Sequence, residues 1–571
     1  MMQVQPKQCL SMYTRDGIRL DADVYYPDAA GEFPVLLMRQ PYGRAIASTV
    51  VYAHPIWYAA QGYIVVIQDV RGRGTSAGDF KLFEHEIEDG YDAVEWAAQL
   101  PGSSGVVGMY GFSYQGMTQL YAAIAKPPAL KAICPAMIGY DLYSDWAYEN
   151  GAFCLQANLG WAIQLAAETA RLKGDQEAFR LLALAAKNLP LCDAVPTRSG
   201  ILHNLAPDSF YHDWLTHNEP AEYWQKLSPK TYQEQLDLPM LHIGGWFDTF
   251  LRGTLNLYKA MAARSAFPQH LIVGPWAHLP WSRKVGAVDF GPEANSPCDR
   301  LQIRWFDHFL KGERVGLLAQ PPIQLFLMGV NEWRYFDSWN EASTIATLSS
   351  SGLASMDEQD GRLEIKAASA EQQAEGRLRR ELRRERSAEQ RSVEREQRAT
   401  GIDVIVHDPW RPVPALGGHA SFPTGPQERS TLDGRSDILT YTSAPLLEPL
   451  CLVGAVSVSM TCAADVPSFD LCAVLSEVRP NGTVYNFTQG YIHVKPGQET
   501  QPLTFLLQPT CISLPSGHRL RLSLSAACFP AYPVNAGTGE PVGEARLIDQ
   551  QIITITVEPI ASYLHLPVPL T

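Results

Sequence analysis

The stretch that most limits what this chain can fold into runs from Val106 to Gly116: Val106-Val107-Gly108-Met109-Tyr110-Gly111-Phe112-Ser113-Tyr114-Gln115-Gly116. Val106-Val107 is β-branched and reads as a strand, and Met117 to Ile124, which follows, reads as a helix. A serine held between the two, with glycine two residues before it, is the pattern of a nucleophile elbow. The tight turn lifts the hydroxyl above the sheet edge and aims a helix N-terminus at the point where negative charge develops. Gln115 stands where a small residue is usual and Gly116 follows one position late, so the elbow needs support from elsewhere in the chain.

Around it the pattern is that of a mostly parallel α/β sheet. Residues 13–27 carry an Asp16-Gly17 turn and then alternate apolar and polar, as a hairpin strand with one buried face does. Pro34–Arg39 and Tyr63–Gln68 are continuous apolar runs, expected of strands covered on both faces, and 88–100 reads as a helix. From 141 to 231 the strand rhythm stops, and Trp146, Trp161, Leu165, Leu181, Leu182 and Leu184 stand among alanines, which predicts a helical insertion. Strands return at Pro239–Gly244 and His270–Gly274. An insertion at that point of such a sheet would lie as a cap over the active site. Beyond 402, short strands at regular spacing (453–460, 471–478, 484–494, 503–507, 519–525, 552–557) predict a β sandwich or jelly roll.

The expected domains are therefore a discontinuous catalytic domain of residues 1–140 and 232–345, a helical cap of 141–231, and a β domain of 346–571. Two or more domains also follow from the length of 571 residues. Within the β domain, 371–399 holds seven Glu and nine Arg and almost nothing apolar, and reads as a solvated insertion with no core to join. A net charge of −14 with no basic face argues against a nucleic-acid partner. The ten cysteines contain no Cys-x-x-Cys pair, so neither a metal nor any other cofactor is expected. No stretch approaches the length that spans a bilayer, and residues 1–9 have no apolar core, so a cytoplasmic protein is expected.

A serine hydroxyl needs a base, an acid that orients the base, and donors for the oxyanion. In α/β-hydrolases these follow in the order Ser, Asp or Glu, then His, the last two in loops after late strands. Here Gly245-Trp246-Phe247-Asp248 follows one late strand and Pro275-Trp276-Ala277-His278 the next. His242 and His270 fall in or at the start of strands, and His308 falls in a helix, where structural roles fit better.

At this point the chain resembles the cocaine esterase group of serine hydrolases, related to α-amino acid ester hydrolases, glutaryl acylases and X-prolyl dipeptidyl-peptidases. The resemblance rests on Arg39-Gln40-Pro41-Tyr42-Gly43, Asp69–Gly78, Gly111–Gly116, Gly245–Asp248, Gly274–His278 and Pro412–Gly418, in that order along the chain. Gly-x-Ser-Tyr-x-Gly is the form of the elbow in that group. The resemblance implies an α/β-hydrolase core with a helical cap and a C-terminal jelly roll. It also implies Ser113 as nucleophile, His278 as base, Asp248 as orienting carboxylate, and the Tyr42 hydroxyl with the Tyr114 backbone N–H as oxyanion donors. The Arg71–Gly78 loop is expected to be structural.

For substrate, the resemblance matches Trp146, Trp161, Phe250 and Phe422 to aromatics that line an acyl pocket, which suits a bulky or aromatic acyl group. The carboxylates that hold a substrate ammonium in α-amino ester hydrolases are not matched, because Phe250 and Leu251 stand where acids are expected. Asp141, Asp145 and Glu149 are the cap acids nearby. The expectation is a hydrolase of small carboxylic esters working through an acyl-enzyme. An amidase, acylase or X-prolyl dipeptidyl-peptidase with the same triad is the alternative, and a binding module on a decayed hydrolase fold is the remoter one. The partner is a small-molecule ester or amide; a homo-oligomer is left open.

Overall fold

The computed structural model describes residues 1–45, 49–339, 342–366, 401–497 and 501–569; the Arg/Glu-rich stretch 371–399 lies outside them. The strands of the first large sheet are β1 (Gln8–Tyr13), β2 (Arg19–Tyr25), β3 (Phe33–Gln40), β4 (Ile64–Asp69), β5 (Ser103–Phe112), β6 (Leu130–Ala136), β7 (Met240–Phe247), β8 (Gln269–Ala277), β9 (Ile323–Leu327) and β10 (Glu332–Phe336). They lie in the order β1-β2-β4-β3-β5-β6-β7-β8-β9-β10. The run from β4 to β9 is parallel, and the antiparallel β1, β2 and β10 close its edges.

The parallel strands are apolar throughout because both faces are covered. Along β3, Val35 and Leu37 face one core with Ala93, Val94 and Ala97 of helix α1 (Glu86–Ala98) and Met117 and Leu120 of helix α2 (Tyr114–Ile124). Leu36 and Met38 face the other, with Trp305 and Phe306 of a C-terminal helix (Cys298–Lys311). Successive strand side chains point to opposite faces, so a continuous Val-Leu-Leu-Met run supplies two cores at once. The sequence expectation for these strands agrees with their positions, but β9 and β10 carry no comparable signal and extend the sheet beyond it.

Between β6 and β7 the chain forms the helical cap. Its largest pieces are α3 (Leu155–Leu172) and α4 (Gln176–Lys187), the latter N-capped by Asp175, whose carboxylate accepts from the Ala178 N–H. A two-stranded ribbon, Tyr148–Glu149 with Ala152–Phe153, precedes them, a local exception to an all-helical insertion. After β7 comes α5 (Leu251–Arg264). The C-terminal part is β-rich, with a nine-stranded sheet, a three-stranded sheet and smaller pairs. Its first strand is Ser343–Ser349, ahead of the expected start. The run Val453–Met460, expected as one strand, is two: Leu450–Gly454 pairs with Thr510–Leu514, and Ser457–Met460 pairs with Leu503–Leu506 in a different sheet. Gly454 has φ +128°, and the kink there hands the chain from one sheet to the other. Among the described residues, no helix is long and apolar enough to cross a membrane.

Candidate active site

The strand order β4-β3-β5 reverses direction about β3, and in sheets of this kind ligands bind beyond the C-terminal strand ends at such a reversal. Tyr42 lies two residues past β3, Ser113 one past β5, Asp248 one past β7 and His278 one past β8. Four short loops on one edge of one sheet therefore carry the polar residues singled out in the sequence.

Ser113 sits at φ 59° and ψ −127°, a backbone conformation that L residues rarely adopt, and it is the N-cap of α2. The turn tolerates this because α2 can press onto β6. A Cβ at Gly116 would stand 2.4 Å from Ile138 Cγ2 and 2.8 Å from the Ala136 carbonyl. Gly116 is thus the residue of close approach, while Gln115, one position earlier, is buried and offers its Oε1 to the Phe112 N–H at 3.4 Å. The Tyr114 N–H is the first of the helix and has no intrahelical acceptor. Its phenol points away, donating to Glu86 Oε1 at 2.8 Å, and Glu86 is paired in turn with the buried Arg39 at 2.5 Å. That inner ion pair leaves the Tyr114 side chain no freedom to fold back over the serine.

His278 Nδ1 and Asp248 Oδ1 are 2.8 Å apart. Asp248 is 0% exposed, and its second oxygen makes no hydrogen bond among the described residues. Its own N–H donates to the Gly245 carbonyl at 3.0 Å, and its carbonyl accepts from Gln508 Nε2 of the β domain at 2.6 Å. The two loops meet because Gly245 has no side chain: a Cβ there would lie 2.4 Å from the Trp276 carbonyl. Register slips between Gly274 and Ala277, where β8 leaves β7, and this bulge turns the chain toward His278. Indole N–H groups pin both loops, Trp246 to the Phe326 carbonyl at 2.8 Å and Trp276 to the Ala294 carbonyl at 2.7 Å. His242, by contrast, is fully buried, and burial drives its ring down to about 4; it bonds Gln269 inside the sheet.

The Tyr42 hydroxyl lies near Ser113 and accepts from Trp161 Nε1 at 3.1 Å. Burial raises its pKa to about 12, against the opposing influence of Trp161, the Arg73 charge and Ser113. At neutral pH it is a protonated donor. The loop that presents it is clamped: the Tyr42 N–H donates to Gln40 Oε1 at 2.8 Å, and Gln40 Nε2 and the Arg44 N–H hold Asp69 Oδ1 at 2.8 and 2.7 Å. This is why the Arg39–Gly43 and Asp69–Gly78 motifs occur together. The first presents the tyrosine, and the second fixes the presenter, a structural role.

Trp146, Trp161 and Phe250 come together beside these groups. Trp146 and Phe250 rings are 4.1 Å apart, Trp146 and Trp161 5.2 Å, and Phe250 lies 5.0 Å from the His278 ring. Phe422 stands outside this cluster: its side chain is 78% exposed, and its N–H bonds Gln156 of α3. Phe83 packs on Trp146, Phe112 on His278 and Phe210 on Trp161; Phe112 stands within the elbow motif, while Phe83 and Phe210 lie in none. The cap acids are occupied. Asp145 accepts from the Asp141 N–H and from Asn256, and Asp141 pairs with Lys230. Glu149, 2% exposed, meets Arg252 at 2.8 Å, His419 at 2.9 Å and the Tyr532 hydroxyl at 2.6 Å. Burial pushes its carboxyl up, but Arg252 and His419 overcome this and hold it well below the usual range.

The sequence gives partial warning of the supports. Gln40, Asp69 and His419 lie in or beside the motifs. Gln508, 260 positions from Asp248, has no such signal. Arg73 stands in a motif, but its burial, with no carboxylate ion-pair partner among the described residues, is visible only in the fold.

Comparison with known proteins accords with this layout. The family model of X-Pro dipeptidyl-peptidases (S15 family) matches residues 16–280, and that of the X-Pro dipeptidyl-peptidase C-terminal non-catalytic domain matches 316–565. Cocaine esterase of Rhodococcus sp. (strain MB1 Bresler) is 29% identical over 564 residues, spanning 93% of this chain and 92% of its own. Two solved structures share the fold over 100% of this chain and 97% of theirs. An α-amino acid ester hydrolase is 21% identical with a TM-score of 0.76. An aminopeptidase from the marine sediment archaeon Thaumarchaeota archaeon is 20% identical with a TM-score of 0.77. Matched in chain order by the catalytic and C-terminal models of one family, and alike to a cocaine esterase over nearly its whole length, the chain belongs to the cocaine esterase-like serine hydrolases of the X-Pro dipeptidyl-peptidase family.

Proposed function

We propose that this α/β-hydrolase cleaves small neutral carboxylic esters with a bulky or aromatic acyl group, through an acyl-enzyme on Ser113. In the proposed cycle, Ser113 Oγ attacks the ester carbonyl while His278 Nε2 takes its proton. Asp248, bonded to the other ring nitrogen, fixes the tautomer and stabilises the imidazolium. The oxyanion receives the Tyr42 O–H and the Tyr114 N–H. His278 then protonates the departing alkoxide, and water repeats the sequence to free the acid. The observation that carries the reading is the 2.8 Å His278–Asp248 pair on the strand-end edge that also bears the strained Ser113, with Tyr42 against the serine hydroxyl.

The preference for a neutral ester rests on the cap acids. Recognition of a free amino terminus needs a carboxylate with charge to spare. Glu149 is matched by Arg252 and His419, and Asp145 by backbone and Asn256. Trp146, Trp161 and Phe250 supply an apolar wall instead. Phe422 retains a part in this reading only as a rim residue. The domain division at 1–140 with 232–345, 141–231 and 346–571 is proposed with it. A cytoplasmic location is also proposed, supported by ten cysteines, none bonded to another. Neither nucleic acid nor membrane is invoked as a partner.

A panel of aryl esters, acyl amides and Xaa-Pro anilides tests the assignment. Aryl benzoates are expected to be turned over with the highest kcat/KM. Preference for Xaa-Pro anilides would move the protein to the peptidase side of its family.

A further inference from the structure

A phenol has one proton and two directions in which to spend it. The Tyr42 oxygen has two neighbours, Trp161 Nε1 at 3.1 Å and the hydroxyl of Ser113. An indole N–H can only donate. It must therefore occupy a lone pair on the Tyr42 oxygen, and the phenolic proton is left to point toward Ser113 and the space above it. Neither partner can swing aside. Tyr42 is anchored through its N–H to the Gln40–Asp69 clamp. The Trp161 ring is wedged between Trp146, 5.2 Å away, and Phe210, 5.0 Å away.

We propose that Trp161 is a positioning residue for the oxyanion donor: its indole N–H sets the rotor of the Tyr42 hydroxyl so that the phenolic proton is already aimed where the oxyanion forms. The inference rests on the assignment of Tyr42 as that donor. It gives Trp161 a role distinct from that of a pocket wall, because the two functions use different parts of the ring. A pocket wall would use the ring face, whereas the N–H edge meets the tyrosine. It also links the cap to the chemistry, since Trp161 belongs to α3 and Tyr42 to the loop after β3.

Two further features fit. A phenol that accepts a hydrogen bond is a stronger donor, because the bonds polarise one another in a low-dielectric site. One turn along α3, the Leu165 carbonyl accepts from Arg73 Nη1 at 3.2 Å. Arg73 is 2% exposed, stacks 3.8 Å over Phe80 and makes no ion pair among the described residues. Its charge acts on Tyr42. A fixed positive charge behind the donor favours negative charge in front of it, and at low dielectric its reach is long.

The test replaces Trp161 with β-(3-benzothienyl)alanine, which keeps the bicyclic shape and exchanges the N–H for sulfur; Trp161→Phe serves as a second variant. Each is made in the native and the Tyr42→Phe backgrounds and assayed with an aryl benzoate. The expected result is a fall in kcat of about threefold to tenfold, the worth of one neutral hydrogen bond, with KM nearly unchanged. In the Tyr42→Phe background the same replacement should have no further effect. An unchanged kcat with a raised KM would make Trp161 a pocket wall only. A kcat loss of equal size in both backgrounds would show that it acts by another route. If Tyr42→Phe alone leaves kcat unchanged, the donor assignment fails and the inference with it. If Tyr42→Phe is impaired while the benzothienyl protein is not, the inference alone fails.

Discussion

Arg252→Met should be among the most damaging substitutions outside the strand-end loops. Arg252 lies in the first turn of α5, four residues after Asp248, and Glu149 lies in the ribbon that opens the cap. His419, Tyr491 and Tyr532, all from the β domain, complete the shell around the same carboxylate. Removing the cation leaves a carboxylate that is 2% exposed, with His419 and Tyr532 as its remaining side-chain partners and the acid Asp145 close by. Breaking a buried pair from one side costs about 3–5 kcal/mol, because the surviving charge has neither water nor counter-ion. The pH dependence tests the cause. In the native protein the Glu149 carboxyl is depressed, so its contribution is present above the unfolded value of ~4.3 and is lost only as pH falls through the lower folded value. Without Arg252, burial dominates and the folded value rises above the unfolded one. The variant's deficit should then be full at pH 8 and shrink toward pH 5 as Glu149 takes up a proton. Urea unfolding followed by tryptophan fluorescence at both pH values measures this, with Arg252→Met/Glu149→Gln expected to recover about 1 kcal/mol or more at pH 8. A deficit below about 1 kcal/mol, or one independent of pH, would refute the argument.

Other outcomes follow from the same geometry. Tyr42→Phe should lower kcat on the order of a hundredfold on a benzoate ester, with KM little changed; an unaltered kcat would return Tyr42 to loop packing. Gln508→Leu removes the amide that holds the Asp248 carbonyl at 2.6 Å, and should reduce kcat several-fold while the β domain stays folded by circular dichroism. A rate equal to that of the native enzyme would make the contact incidental. Gly116→Ala puts a methyl 2.4 Å from Ile138 Cγ2 and 2.8 Å from a backbone carbonyl, and should destabilise by about 1–3 kcal/mol in thermal or urea melts.

Much of this site can be read from the chain because α/β-hydrolases put chemistry at strand ends. Pro34–Arg39 and Tyr63–Gln68 are apolar enough to declare themselves as doubly covered strands. Once the strands are placed, Asp248 and His278 stand out by position alone. The supporting contacts are less visible. Gln508 is distant in sequence, and a lone glutamine among short strands carries no mark of its partner. The resemblance already makes Gln115 regular, but its physical reason shows only when Gly116 is seen against Ile138, since the close approach is a property of two elements. Phe422 illustrates the opposite limit: a residue four positions past a motif can be near it in sequence and still face solvent. The split of Val453–Met460 is hidden because apolar residues recur through both halves without a break, and only the φ of Gly454 separates them.

The central claim is that Ser113 carries the acyl group. Native protein and Ser113→Ala should be mixed with an activated benzoate ester, quenched in acid within the first turnover and digested, and the peptides weighed. A mass gain of one benzoyl group is expected on the peptide containing Ser113 in the native protein, none in Ser113→Ala, and a fall in turnover of on the order of a thousandfold or more in that variant. Acylation at another residue, or near-native turnover by Ser113→Ala, would contradict it.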